Sequence, residues 1–216
     1  RWDGTNWHAM GSGPAYATSF VTCAGALYAN GGDGVYRWNG SAWTLVLTSY
    51  VDRLGVWNNK LIAVGFLTIG TVTGAAVAAY DGNTWTVLAN DTDWHPTAAV
   101  SFNGDLYVSG WFSEIDGVPA EGVARWDGTA WHSIGLQGMP FAEDLVVYGG
   151  RLYVIGYLRR GQENGVLAWD GTNWTPLAGG TLGSNAWPKR GIEWQGSLVI
   201  GGTPSSIGFY GHAVAA

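Results

Sequence analysis

Three features of the 216-residue sequence predict an all-β fold, a single five-bladed β-propeller with four antiparallel strands per blade. A W-D-G-T-x-W string and its variants recur five times. A tight turn followed by an L-Y-V-x-G strand recurs once in each of the same five units. The helical period is absent throughout, which excludes a helical solenoid.

The motif units start near 2, 38, 80, 126 and 169, as WDGTNW, WNGSAW, YDGNTW, WDGTAW and WDGTNW, at spacings of 36, 42, 46 and 43 residues. Between them lie the second signals. These are Ala24-Gly25 before ALYANGG, Asn58-Asn59 before KLIAVGF, Asn103-Gly104 before DLYVSGW, Gly149-Gly150 before RLYVIGY, and Gln195-Gly196 before SLVIGG. One register holds Leu27, Leu61, Leu106, Leu152 and Leu198, then Gly31, Gly65, Gly110, Gly156 and Gly202. Each unit therefore reads as four short strands. Strand one ends at the tight turn, strand two carries L-Y-V-x-G, strand three ends at the first motif aromatic, and strand four starts at the second motif Trp. Gly and Asn in such turns supply the positive φ that two-residue hairpins need. Four antiparallel strands repeated at this spacing make a propeller blade.

The ends point to closure. GHAVAA followed by RWDGTNW reads like AVAAYDG at Ala76–Gly82 and GVARWDG at Gly122–Gly128. Residues 1–10 are expected to complete the C-terminal blade, closing residues 1–216 into one ring without exposed edges.

Composition agrees with a turn-rich globular chain: 35 Gly, 14 Trp, 47% hydrophobic and 12% charged residues exclude disorder. Gly has no three-residue period, so collagen is excluded, and no apolar run is long enough for a membrane-spanning helix. The net charge is −6, and the only basic runs are Arg159-Arg160 and Lys189-Arg190, which argues against nucleic-acid binding. A single Cys23 excludes an internal disulfide. The first residue is Arg1 and no signal peptide precedes it, so a processed product or an excised segment is expected.

The W-D-G-T-x-W and L-Y-V-x-G motifs resemble the WDG-type, kelch-like propeller repeats of bacterial surface and secreted proteins, over the whole chain. Blade number and Trp richness are more loosely similar to the tachylectin-2-type five-bladed lectins, which bind N-acetyl sugars between blades. The resemblance implies the propeller fold and an extracellular or cell-surface location. No lectin motif transfers residue by residue.

Topology separates two faces. The tight turns share one face, and the long connections share the other: Phe66 to Ala75, Trp111 to Glu121, Tyr157 to Asn164 and Leu177 to Pro188. Functional residues concentrate on varied loops over a fixed scaffold. Eight residues before each hairpin turn stand Tyr16, Tyr50, His95, Phe141 and Trp187, a ring of aromatic side chains expected at the mouth of the channel. Beside them lie Asp52 and Arg53, Glu143 and Asp144, and Lys189 and Arg190. Nine of the 14 Trp belong to the motif. Trp57 and Trp194 sit in the column of Cys23, Phe102 and Tyr148 and read as core. Trp94, Trp111 and Trp187 fall on the long-loop face with Tyr157. Rings and charges at one rim suit sugar stacking or a partner protein. The alternative for each ring is packing between blades.

Catalysis has little support. His8 and His132 read as outer-strand residues and His212 as part of a third strand, and there is no metal, phosphate-loop or nucleophile motif. Asp52, Glu143 and Asp144 are the acids placed for a glycosidase pair, with Glu193 deeper on its strand. Asp91–Asp93 and the segment near Asp116 match no known calcium loop. The expectation is a non-catalytic binding module without cofactor or metal. Its partner is a glycan or a protein on the long-loop face. It contacts no nucleic acid, does not insert into a membrane, and is a monomeric domain or part of a longer chain or assembly. A carbohydrate-binding or adhesion role is the first reading. A protein-interaction or structural domain of a surface or virion protein is the second, and a glycoside hydrolase the third.

Overall fold

The computed structural model describes residues 1–136, 141–157, 165–177 and 188–202. Strands β1 (Ser19–Cys23), β2 (Ala26–Gly31), β3 (Gly34–Trp38) and β4 (Trp43–Leu47) form the first four-stranded meander, and β5 (Tyr50–Trp57), β6 (Lys60–Ile69), β7 (Val72–Tyr80) and β8 (Trp85–Ala89) the second. The third contains β9 (Pro96–Phe102), β10 (Asp105–Gly110), β13 (Val123–Trp126) and β14 (Trp131–Ser133), with a small hairpin of β11 (Glu114–Ile115) and β12 (Val118–Pro119) inserted. The fourth contains β15 (Phe141–Tyr148), β16 (Arg151–Tyr157), β17 (Val166–Trp169) and β18 (Trp174–Pro176). A two-stranded sheet of β19 (Pro188–Trp194) and β20 (Ser197–Gly202) follows. All pairings are antiparallel, and no helix occurs among the described residues.

The hairpin between the first two strands of each unit closes at the predicted dipeptide. Both central residues have positive φ in every case, for example 47° and 58° at Asn58-Asn59 and 51° and 89° at Asn103-Gly104. That is the twist-matched two-residue hairpin, which is why Asn and Gly recur there. The D-G turn between the last two strands is held by its own carboxylate. Asp81 Oδ1 accepts from the Asn83 and Thr84 amides at 2.8 Å. Asp3, Asp127 and Asp170 repeat the arrangement, and Asn39 performs it without a charge. The motif aromatics face each other directly across this turn, with ring centroids 5.3 Å apart for Trp38–Trp43 and 4.9 Å for Trp169–Trp174. Such cross-strand pairs stabilise the hairpin.

The first strands lie side by side in chain order, β1 against β5, β5 against β9, β9 against β15, and β15 against β19. One apolar cluster fills each of these four junctions. The second strands are therefore buried on both faces: Leu61, Ile62, Ala63 and Val64 are all 0% exposed. Motif tryptophans bind the sheets together. Trp85 Nε1 donates to the Val46 carbonyl at 3.0 Å, and Trp131 to Leu88 and Trp174 to Ile134 at 2.9 Å. At the hairpin end, Trp57 Nε1 donates to the Gly104 carbonyl at 2.8 Å and the Tyr148 hydroxyl to that of Gly196 at 2.7 Å.

Two sequence expectations need correction. The segment from Phe66 to Ala75 is not a loop. β6 and β7 continue through it in register as far as Ile69 and Val72, because Leu67 and Ile69 alternate with polar residues and Leu67 is buried. Trp194, expected as core with Trp57, is 62% exposed at the outer face of β19, whereas Trp57 is 8% exposed beneath the next sheet. The expected partner strand of residues 1–10, including His212, lies outside the described residues. Residues 1–10 form a hairpin of their own around the Trp2–Trp7 bridge.

Two predictions follow from this packing. A Cβ at Gly55 would lie 2.2 Å from the Ala99 carbonyl oxygen, while one at Gly32 meets nothing within 4 Å. Gly55→Ala should therefore cost about 2 kcal/mol in chemical denaturation, and Gly32→Ala less than about 0.5 kcal/mol. The second concerns acid. Backbone amides hold the carboxyls of Asp3, Asp81 and Asp170 below their ordinary range, and at Asp127 the Thr129 hydroxyl leads with amides adding. The unfolded chain then takes up protons first, so this stabilisation is complete above about pH 4 and lost below it. Changing all four to Asn, the residue already at position 39, removes this titration and should flatten the fall of melting temperature below about pH 4.

Candidate functional site

The face opposite the tight turns begins with a repeated irregularity. The pairing of strand one with strand two slips between Val51 and Arg53, between Ala142 and Asp144, and between Pro188 and Arg190. The same slip occurs between Pro96 and Ala98, opposite Gly110 and Ser109. The extra residues are Asp52, Thr97, Glu143 and Lys189, at one equivalent position. A β-bulge of this kind breaks the alternation, re-aims side chains and frees backbone groups. The glycine column makes room for it. A Cβ at Gly156 would sit 2.2 Å from the Phe141 oxygen, one at Gly110 2.4 Å from the His95 oxygen, and one at Gly65 2.7 Å from the Tyr50 oxygen.

The freed carbonyls are taken by the neighbouring sheet. Asn30 Nδ2 donates to the Val51 carbonyl at 2.7 Å, Thr97 Oγ1 to that of Ala142 at 2.8 Å, and Arg190 Nη1 to that of Glu143 at 3.2 Å. Asn30 is fully buried and also receives the Ser19 amide on its side-chain oxygen at 2.9 Å. Sequence reasoning missed Asn30 and Thr97. The conserved spacing of the glycines to strand one was the available signal for the bulge.

The predicted charges divide into an inner and an outer group. Asp144 is 2% exposed. It faces the Arg53 guanidinium at 3.6 Å and accepts the Gly191 amide at 3.1 Å, so it joins the second, fourth and fifth units. Burial pushes its carboxyl up, and Arg53, the Gly191 amide and Arg190 oppose the shift. Burial likewise lowers Arg53, with Asp144 opposing. Glu143 is also buried. Lys189 and Arg190 are exposed.

Asp52 belongs to the outer group and lies 3.4 Å from His95 Nδ1. Burial raises its pKa, against hydrogen bonds from His95 and the Tyr50 hydroxyl. Tyr16 and Tyr50 are exposed, and His95 and Phe141 are half-buried. Trp187 lies outside the described residues. Trp94 is exposed with its ring edge-on to His95 at 6.3 Å. Phe141 stands between Trp111 at 5.3 Å and Tyr157 at 6.3 Å, the latter also exposed. The rim therefore holds two aromatic groups, Tyr50–His95–Trp94 with Asp52, and Trp111–Phe141–Tyr157. Tyr16 stands on the first unit, beyond both.

The acidic segments near 91–93 and 116 are structural. Asp116 Oδ1 accepts the Asn90 and Asp91 amides, and Asp93 Oδ1 those of Ser113 and Glu114, which pins the β11–β12 hairpin. Among the described residues no group of three or more His, Cys, Asp or Glu is placed to hold a metal ion. No helix among the described residues is long and apolar enough to cross a membrane. His8 and His132 pair with Asp3 and Asp127 on the turn face, remote from the rim.

Removing Arg53 leaves the Asp144 carboxylate buried without its cation. Arg53→Met should cost about 3 kcal/mol by denaturant titration, and adding Asp144→Asn should recover much of the loss. Independent, additive costs would show that the two side chains are not coupled.

No protein-family model matches the chain, and no curated protein matches it. Among solved structures, YCF48 bound to D1 peptide is similar, with a TM-score of 0.57 and 14% identity over 91% of this chain. The chain spans 66% of the length of that YCF48 chain. The structure of PorZ, a surface component of the type-IX secretion system of Porphyromonas gingivalis, matches with a TM-score of 0.36 and 20% identity, over 74% of this chain and 21% of that one. The YCF48 likeness, together with the antiparallel four-stranded sheets, gives this chain a β-propeller-like fold.

Proposed function

We propose that the chain is a non-catalytic binding module whose long-loop face takes an extended segment of a partner protein. Its frame is a ring of five blades, with residues 1–10 completing the fifth. The observation that carries the reading is the division of the rim into two aromatic groups separated by polar bulge residues. Exposed Tyr50 and Trp94 beside Asp52, and exposed Tyr157 backed by Phe141 and Trp111, offer two apolar anchor points. Aromatic anchors flanked by hydrogen-bonding groups are the usual energetic centres of protein interfaces. YCF48, which shares the fold at 14% identity, is bound to a peptide in its solved structure. The WDG-type resemblance supports a location at a cell surface or outside the cell.

A glycan is the second reading. The same exposed rings beside a carboxylate suit the apolar face and hydroxyls of a sugar. Hydrolysis is not favoured, because Asp144, the acid deepest in the mouth, is already held by Arg53 and the Gly191 amide.

The test is parallel screening of the full chain on peptide and glycan arrays, followed by calorimetry. Trp94→Ala and Tyr157→Ala should each weaken binding to a selected peptide about tenfold, with the melting temperature unchanged since both rings are exposed. Binding confined to glycans would select the second reading. Binding to either that survives both changes would remove the rim from the interface.

A further inference from the structure

The two aromatic groups of the rim differ in charge, and that difference decides what each can hold. Trp111, Phe141 and Tyr157 meet ring to ring, with centroids 5.3 and 6.3 Å apart. The group on the second and third sheets is joined through a carboxylate instead. Asp52, the bulge residue between Val51 and Arg53, accepts from the Tyr50 hydroxyl and lies 3.4 Å from His95 Nδ1. Trp94 stands next to His95, with the two ring planes 66° apart, so they do not stack. Tyr50 and Trp94 are 54% and 56% exposed.

The rim arginines are engaged elsewhere. Arg53, next to Asp52 in sequence, faces Asp144 at 3.6 Å. Arg190 Nη1 donates to the Lys189 and Glu143 carbonyls at 2.8 and 3.2 Å, and it acts on Asp52 across a distance. The ion pair formed by Asp52 among the described residues is with His95, which is charged only when protonated. The Asp52 side chain is only 26% exposed, so its carboxylate is partly stripped of water, and burial pushes its pKa up. A cation arriving from solvent restores what burial removes. Tyrosine and tryptophan faces act in the same direction, since a cation within about 6 Å of such a ring is attracted by its quadrupole. An anion would meet Asp52 as a like charge. A neutral side chain would desolvate the carboxylate further without compensation.

We infer that the Tyr50–Asp52–Trp94 subsite takes a cationic side chain, lysine or arginine, of the partner segment, and that the Trp111–Phe141–Tyr157 subsite takes an apolar one. The assignment rests on the rim being a site for a protein segment, as proposed above, and adds the chemistry of two of that segment's side chains. The aliphatic stem of the lysine or arginine lies along the exposed rings while its charged head reaches the carboxylate.

The test is calorimetry of the full chain against end-capped synthetic peptides of Ser, Ala and Gly that carry one Phe and one Lys at varied spacing. Matched peptides carry acetyl-lysine or Glu at the lysine position. The Lys peptides should bind about tenfold more tightly than their acetyl-lysine copies, and the Glu copies most weakly. Asp52→Asn keeps an oxygen for the Tyr50 hydroxyl and should abolish the advantage of Lys over acetyl-lysine. Trp94→Leu keeps an apolar contact without the ring, and should reduce that advantage several-fold while acetyl-lysine binding changes little. Circular dichroism melts of both variants should match the parent chain. Equal binding of Lys and acetyl-lysine peptides would leave the protein-segment reading standing and overturn the cation subsite. A lysine advantage that survives both substitutions would put the cation elsewhere on the chain and overturn it as well. No binding by any member of the set at millimolar concentration would overturn both readings.

Discussion

The second, third and fourth sheets of this protein each bury both of their faces, and the rest of the structure follows from that. A central strand such as Leu61–Val64, closed to water on either side, has no stable existence alone. Each sheet needs one neighbour before it and one after it. The repeat supplies them in chain order, and the first and last sheets are left with one covered face each unless they meet. Small residues tune how closely neighbours approach: Gly55 against Ala99 and Gly191 against Val146 bring first strands nearly into backbone contact. Tryptophan indoles and a tyrosine hydroxyl then seal the ends of the junctions by donating to carbonyls of the adjacent sheet.

The two faces solve the problem of unpaired backbone groups differently. On the turn face, the motif Asp or Asn satisfies the turn amides within its own unit. On the long-loop face, the bulges release carbonyls that are satisfied by side chains from an adjacent sheet. Here the residue at each bulge is free to differ, and it does: Asp52, Thr97, Glu143 and Lys189 occupy one structural position. Buried Asp144, paired with half-buried Arg53, ties the second unit to the fourth beneath this rim, so the varied surface stands on a fixed base. That separation of scaffold from presentation is what suits the face to recognition.

Much of this was legible in the sequence. Motif spacing gave the units, the turn dipeptides gave the hairpins, and the Leu and Gly columns gave the register of the second strands. The bulge was not legible, because aligning units by position shows equivalence but not an inserted residue in the pairing. Only the paired glycines at 65, 110 and 156 hinted that two backbones come unusually close. Phe66–Ala75 reads as a loop from its place between the second and third strands of the repeat, and pairing runs on through it to Ile69 and Val72, with Leu67 buried. Asp144 was read as a rim charge because its cation, Arg53, comes from a different unit and its burial depends on that distant partner. Trp194 shares a column with Trp57 yet not its burial, since a column records the residue and not whether the neighbour has arrived.

Native-state hydrogen exchange across the second strands tests the two-sided burial most directly. In a ring with every face covered, the amides of β2 and β20 should be protected to the same degree as those of β6, β10 and β16. Exchange in β2 and β20 that is faster by orders of magnitude, with β6, β10 and β16 still protected, would contradict a closed ring.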